Sequence, residues 1–248
     1  VIFKQNHSSL ARDYNNIGYA FFTLEANDSA LKYYQIASTI YANIFTQDHP
    51  FIAISYINIG EVYYREREYE HAIEYCQKAL NILNHTYSGE NPYAGYAYRN
   101  LGLIHLEKGN FQQVAFYLDK AINNDTLIYG IIYDDALNDY LNLGLAHKEL
   151  QLYDDAVYDF EKGLELSVKT HQPNQNKQIL SLRFHKASTL WRMGRQKEAT
   201  PIFRELWEGA LKREDQKLME EIKENTGSEH SASTIQKRYI QVYNNTVT

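Results

Sequence analysis

The chain has 248 residues, 44% hydrophobic and 23% charged, with a formal net charge of -6. That is the make-up of an ordinary soluble globular chain, and its acidic balance leaves no basic surplus to neutralise nucleic-acid phosphates. Its single cysteine, Cys76, excludes an internal disulfide and suits a reducing, cytoplasmic setting; no run of about 18 apolar residues is present to span a membrane.

From the first residues onward the chain repeats itself. "IFKQNH" at 2–7 returns as "IFTQDH" at 44–49, and the period becomes regular when anchored on glycine. "YNNIG" ends at Gly18, "YINIG" at Gly60, "YRNLG" at Gly102 and "YLNLG" at Gly144, each 42 residues after the last. Tyr14, Tyr56, Tyr98 and Tyr140 precede these glycines by four positions. Ala30, Ala72, Val114 and Ala156 follow twelve later, and Ala37, Ala79, Ala121 and Gly163 nineteen later. A fifth, degraded copy centres on Ala187, with Ala199, Phe203 and Leu206 at matching offsets and Arg183 in place of the tyrosine.

Each copy reads as two helices. Tyr56, Ile59, Gly60 and Tyr63 fall at i, i+3, i+4 and i+7, one apolar helical stripe. After the polar "REREYE", helical spacing resumes through Ala72, Ile73, Cys76, Ala79, Leu80 and Leu83. Pro50 and Pro92 open the second and third copies, where a first-turn proline costs no hydrogen bond. The predicted units are 8–49, 50–91, 92–133, 134–176 and 177–226, preceded at 1–7 by the end of an earlier repeat plus its linker. The chain is thus expected to open inside a longer array. "ALKREDQKLMEEIKEN" is expected to prolong the last helix, and residues 227–248 to hold a capping helix (231–245) and tail.

This set of landmarks resembles the tetratricopeptide repeat, over about residues 1–210. The 42-residue unit with "DHP" or "ENP" before its first helix resembles the repeats of kinesin light chain; the usual tetratricopeptide period is about 34. The resemblance implies an all-α fold, an α-α superhelix of about five helix-turn-helix repeats. It also implies that one side of the first helices lines a concave surface that binds protein segments.

No catalytic constellation, phosphate loop or metal-ligand pair stands out, so neither enzyme activity nor a cofactor or metal is expected. His105 and His147, both three residues after an anchor glycine, fit packed histidines. Asp134–Asp135 and Asp154–Asp155 sit where helices begin, which capping and the helix dipole explain. Five Asn-x-Ser/Thr sequons, at Asn6, Asn27, Asn84, Asn124 and Asn244, are what an asparagine-rich chain holds by chance.

The stronger signal is Asn16, Asn58, Asn100 and Asn142, each two residues before its glycine. At about 100° per residue, Ile54, Asn58, Glu61 and Arg65 lie nearly opposite the packed stripe. An amide there could pair with a peptide N–H and C=O whatever the peptide's side chains, although bonds between neighbouring helices would equally explain it. Its stripe neighbours have diverged, among them Arg12, Ile54 and Tyr96. Tyr96 offers aromatic contact, while Arg65, Arg99, Lys148 and Arg192 offer charge to a protein or peptide partner. In the fifth copy His185 replaces the asparagine, where the ladder is expected to stop. An alternative is that the array is the peptide-sensing or targeting arm of a larger enzyme or regulator. Homodimerisation through an open end is conceivable but not expected.

Overall fold

The structure, a computed structural model, describes residues 2–45, 48–87, 89–130, 135–170 and 176–226. Eleven helices occur among these residues, and the fold is all-α, of the α-α superhelix class. The chain forms two compact units, Val1–Tyr133 and Asp134–Thr248. The first holds α1 (Ile2–Thr23), α2 (Asn27–Ile44), α3 (Pro50–Arg65), α4 (Tyr69–Thr86), α5 (Ala94–Glu107) and α6 (Phe111–Tyr129). They pair as three hairpins, with α2 packed on α3, α4 on α5, and the first helices α1, α3 and α5 touching in series. The second unit holds α7 (Ala136–Glu149), α8 (Tyr153–Lys169), α9 (Lys177–Arg192), α10 (Gln196–Lys212) and α11 (Gln216–Thr226). There α8 and α7 both meet α9, and α11 closes on α9 and α10.

The anchor glycines explain how each hairpin closes. A methyl group built on Gly18 would lie 2.7 Å from the Tyr34 ring, and one on Gly144 would lie 2.5 Å from the Phe160 ring. On Gly102 it would meet Leu118 at 2.8 Å, and on Gly60 the Cys76 sulfur at 3.0 Å. All four partners stand 16 residues after their glycine. The second helix therefore drops one side chain onto bare backbone of the first, an approach that a Cβ would crowd, most tightly at Gly144. In the fifth copy the pair is Ala187 with Phe203, both fully buried.

A second contact repeats beside the first. Phe21 stacks on Tyr33 (ring centroids 5.4 Å apart), Tyr63 on Tyr75 (5.6 Å) and His105 on Tyr117 (5.5 Å). In the fourth copy a His147–Asp159 hydrogen bond of 2.6 Å replaces the stack. Both histidines singled out in the sequence thus bridge the two helices of their own hairpin.

Each hairpin also turns in the same way. Glu25, Arg67, Gly109, Gln151 and Gly194 all have φ between 59° and 76°. The next residue donates its N–H back to Phe21, Tyr63, His105, His147 or Leu190, the Schellman closure of a helix C-terminus. At the helix starts, His49 Nδ1 accepts the Phe51 N–H at 3.2 Å and Asn176 Oδ1 accepts that of Gln178 at 2.8 Å.

Two expectations need correction. Residues 2–7 are not a linker, because α1 runs unbroken from Ile2 to Thr23. In the later copy Pro50 stops helix at His49, whereas the matching residue here is Ser8, which breaks nothing. Nor does α10 continue through "REDQ": it ends at Lys212, Glu214 takes φ 56°, and Asp215 Oδ1 caps α11 through the Leu218 N–H at 3.1 Å. Leu218, Met219 and buried Ile222 then pack with Trp207 of α10, which a straight helix could not do. The expected cap at 231–245 lies outside the described residues.

Gly144→Ala should lower the stability measured by urea unfolding by about 1–3 kcal/mol, the range for overpacking a close contact. Gly60→Ala, whose methyl would meet the Cys76 sulfur at 3.0 Å and the Ala72 carbonyl at 3.3 Å, looser than at Gly144, and which gains roughly 1 kcal/mol of helix propensity, should cost clearly less. Equal costs at the two positions would contradict the close-approach explanation.

Candidate functional site

In the first unit the amide row lies at the seams between hairpins. Asn16 is exposed, while Asn58 and Asn100 are half-buried. Asn58 Nδ2 donates to Asn15 Oδ1 on the preceding first helix at 3.0 Å, and the Asn100 amide lies near the buried Cys76 thiol. That thiol is pushed up to about 12, first by burial, so it stays protonated.

The basic residues of the row divide by partner. Arg65 is exposed, yet its guanidinium lies 3.4 Å above the Phe22 ring and donates to the Phe22 carbonyl at the end of α1. Arg99 is 8% exposed and pairs with Asp125 of α6 at 2.7 Å, with the Tyr96 ring 5.7 Å from its guanidinium carbon. The Asp125 carboxylate fits only because Gly95 has no side chain, since a Cβ there would lie on top of it. Asn124 extends the cluster by bonding the Asn91 N–H and C=O, while Asn91 Oδ1 accepts the Ala94 N–H at 2.8 Å. Arg65 and Arg99 therefore tie the repeat together, whereas Tyr96 stands 52% exposed.

A cavity of about 180 Å³ opens beside the Asn15–Asn58 bond, lined by Ser8, Ser9, Arg12 and Asn15 of α1, Tyr41 of α2, and Phe51 and Ile54 of α3. Burial raises the Tyr41 hydroxyl above its ordinary value, and the nearby Arg12 charge opposes the shift. Polar groups thus line the α1 side and apolar surface the α3 side. Sequence reasoning named only Arg12 and Ile54 of this set, as diverged neighbours of the asparagines. The rest are Ser8, Ser9 and Asn15 of α1, with Tyr41 near an α2 end and Phe51 at an α3 start that spacing alone does not bring together.

In the second unit Asn142 is half-buried on α7. Lys148 is 8% exposed and donates to Ser188 Oγ of α9 at 3.2 Å; Ser188 in turn donates to Asn225 Oδ1 of α11 at 2.6 Å. Burial, followed by the Arg192 charge, holds the Lys148 ammonium below lysine's ordinary value. His185 stacks on Phe160 (centroids 6.0 Å apart) and meets Phe184 edge-on (5.3 Å), and its Nδ1 is buried without a hydrogen-bond partner among the described residues. Burial, then the Lys148 charge, pushes its pKa down to about 4.

Helical hairpins of one period, closed by one contact and stacked first helix on first helix within each unit, define a helical-repeat protein. The chain belongs to the tetratricopeptide repeat family, whose descriptions match residues 9–75, 51–126 and 140–176, together more than half of it. Among solved structures it is similar to the nearly identical TPR-like repeats of a putative kinesin light chain from Podosopora anserina. That match has a TM-score of 0.67 at 16% identity, covering 84% of this chain and 98% of that one. The apo form of RapI matches with a TM-score of 0.69 at 16% identity, covering 95% and 84%. YrrB, described as a TPR protein with an unusual peptide-binding site, matches with 0.54 at 15%, covering 90% of each chain. These identities show a shared fold alone. No protein of curated function matches the sequence.

Because the folded His185 imidazole titrates near 4 and an unfolded one near 6.5, the unfolded state binds more protons between those values. The neutral ring's contribution is complete above about pH 6.5 and is lost as pH falls towards 4, to the extent of about 2–3 kcal/mol. Urea unfolding of His185→Asn, which restores the residue of the other copies, should show a shallower loss of stability over pH 6.5 to 4.5 than the parent. Identical pH slopes would rule the histidine out as the cause.

Proposed function

We infer that this chain is a non-enzymatic protein-interaction module whose first-helix face holds an extended segment of a partner protein. The observation that carries this reading is the α1–α3–α5 face. Asn16, Asn58 and Asn100 recur there at one helical position, beside an open cavity and the exposed Tyr96. An amide has two donor hydrogens and an acceptor oxygen. Asn58 commits one hydrogen to Asn15, which fixes its orientation and leaves an N–H and a C=O for a peptide backbone. The cavity gives one peptide side chain an apolar wall of Phe51 and Ile54 under the Arg12 charge. In the second unit Asn142 of α7 supplies the same group.

Main-chain pairing gives affinity with little sequence demand, so selectivity falls to the diverged positions, Arg12, Ile54 and Tyr96. Arg65 and Arg99 contribute by holding that surface in place, since each is engaged with another helix of the first unit. The peptide-binding site named for YrrB supports this use of the fold.

The experiment is selection of a peptide from a random display library on the full chain, followed by calorimetric titration of variants. Asn58→Ala and Asn100→Ala should each weaken the selected peptide by about tenfold, the worth of one well-made hydrogen bond of about 1.4 kcal/mol. Lys120→Ala on the second helix α6 should leave binding unchanged. Undiminished affinity in both asparagine variants, with unfolding midpoints like the parent's, would remove the amides from recognition.

A further inference from the structure

His49, Asn91 and Asn176 hold the same position of the second, third and fifth copies, at the entry to the first helix. Each accepts the backbone N–H two residues on. The Phe51 N–H reaches His49 Nδ1 at 3.2 Å, that of Tyr93 reaches Asn91 Oδ1 at 3.2 Å, and that of Gln178 reaches Asn176 Oδ1 at 2.8 Å. Such a cap satisfies a donor that the helix itself leaves without a partner. An amide oxygen accepts whatever the pH near neutrality, whereas an imidazole nitrogen accepts only while it carries no proton. Of these three caps, His49 alone can be removed by acid.

The same imidazole supports the cavity between α1 and α3. Its ring stacks on Phe45 with centroids 3.6 Å apart and meets the Phe51 ring at 4.9 Å. Phe51 in turn meets Tyr41 at 5.2 Å and Phe45 at 6.0 Å, and Tyr41 and Phe51 both line the cavity. Phe51 is therefore held twice by His49, by its backbone N–H and by its ring.

The surroundings favour the neutral ring. Burial holds the half-buried imidazole below histidine's ordinary 6.5, and the helix start it caps is the positive end of the α3 dipole. Charged and titratable groups approach from each neighbouring element. Arg12 and Asp13 of α1 act in opposite directions on the Tyr41 hydroxyl of α2. Asp48 is exposed, with its carbonyl taking the Thr86 hydroxyl of α4 at 2.6 Å, and the exposed His85 of α4 bonds the Asn81 carbonyl at 2.7 Å. A charged His49 ring would gain from lying over Phe45, but it would set one N–H against another at Phe51.

We propose that His49 is a positioning residue that makes the cavity proton-sensitive: while neutral it holds Phe51 as the apolar wall, and on protonation it releases the Phe51 N–H and that wall with it. Resting on the peptide-binding reading above, the consequence is release of the bound segment in acid. The sign follows from the cap. Binding needs the neutral ring, so affinity is complete above histidine's ordinary range and is lost as pH falls through the lowered value of the folded chain. The third copy shows that the architecture does not require a ring here, since Tyr87, Asn91 and Tyr93 stand at the positions of Phe45, His49 and Phe51.

The test uses the full chain and two readouts. The first needs no peptide: NMR signals of Phe51 are followed as pH falls from about 7.5 to about 5, across the histidine range. The Phe51 backbone amide should titrate with a midpoint below 6.5, and the nuclear Overhauser contacts between the Phe51 and Tyr41 rings should fade over the same interval. In His49→Asn, which installs the cap of the third and fifth copies, both should stay constant. Ring contacts that persist in acid, or a Phe51 amide that titrates equally in the variant, overturn the proposal. The second readout is calorimetric titration of the peptide selected at the upper pH. Parent affinity should fall by about fivefold across the range, the scale of one helix cap. His49→Asn should bind within about twofold of the parent at the upper pH and should hold that affinity in acid. Equal pH slopes in parent and variant overturn the release. So does a variant that binds weakly at the upper pH with an unchanged unfolding midpoint, because the ring itself and not the cap would then be the contact. Failure to select any peptide defeats the first-helix reading and leaves the Phe51 signals to decide the switch. An affinity indifferent to pH defeats the switch and leaves the amide row standing.

Discussion

The close approach of the two helices in each hairpin governs the rest of the molecule. Where a glycine of the first helix meets a side chain 16 residues on, the second helix comes down onto bare backbone, at 2.5–3.0 Å from where a Cβ would be. That contact fixes the rotation of each first helix about its own axis. One side is given to the partner helix, and the side bearing the asparagines is left to the neighbouring hairpins and to solvent. The aromatic or His–Asp contact alongside and the left-handed turn residue lock the same geometry from two further points. Function, on this reading, is a by-product of a packing rule: the face that cannot be packed within the hairpin becomes the surface offered to a partner.

That surface is not a row of free side chains. Asn58 is bonded to Asn15, Arg65 to the end of α1 and Arg99 to Asp125. Each bond crosses between helices, so under the proposed function stiffness of the array and recognition by it would draw on the same residues. An interface whose polar groups are held before a ligand arrives loses less conformational entropy on binding, which favours spending part of each amide on the seam. Lys148 is the opposite case, a buried ammonium whose bonding partner among the described residues is a neutral hydroxyl.

Much of the fold was readable from spacing. The 42-residue period, the glycine positions and the small residues twelve and nineteen later marked the all-α repeat and its paired helices, because these sites tolerate few side chains. Other regularities are equally strict in space and invisible in letters. The residue meeting the glycine is Tyr34, Cys76, Leu118 or Phe160, since only its reach matters. The turn residue is Glu25, Arg67, Gly109, Gln151 or Gly194, since a left-handed conformation costs other residues only about 1 kcal/mol more than glycine. Two local expectations, at residues 2–7 and after Lys212, differed where the deciding feature was a missing proline and an aspartate cap. The candidate site was legible as a stripe but not in its commitments: Arg99 finds Asp125 from 26 residues away, and the cavity draws on a helix end and a helix start whose meeting no periodicity encodes.

A double-mutant cycle at one hairpin tests the packing rule most directly. In urea unfolding, Gly144→Ala should cost well over 1 kcal/mol with Phe160 present and almost nothing in a Phe160→Cys background, which recreates the pair found in the second copy. The coupling between the two changes should thus exceed about 1 kcal/mol. If the alanine costs the same in both backgrounds, the glycine is not there for its partner, and the rotation of the first helices must be set by something else.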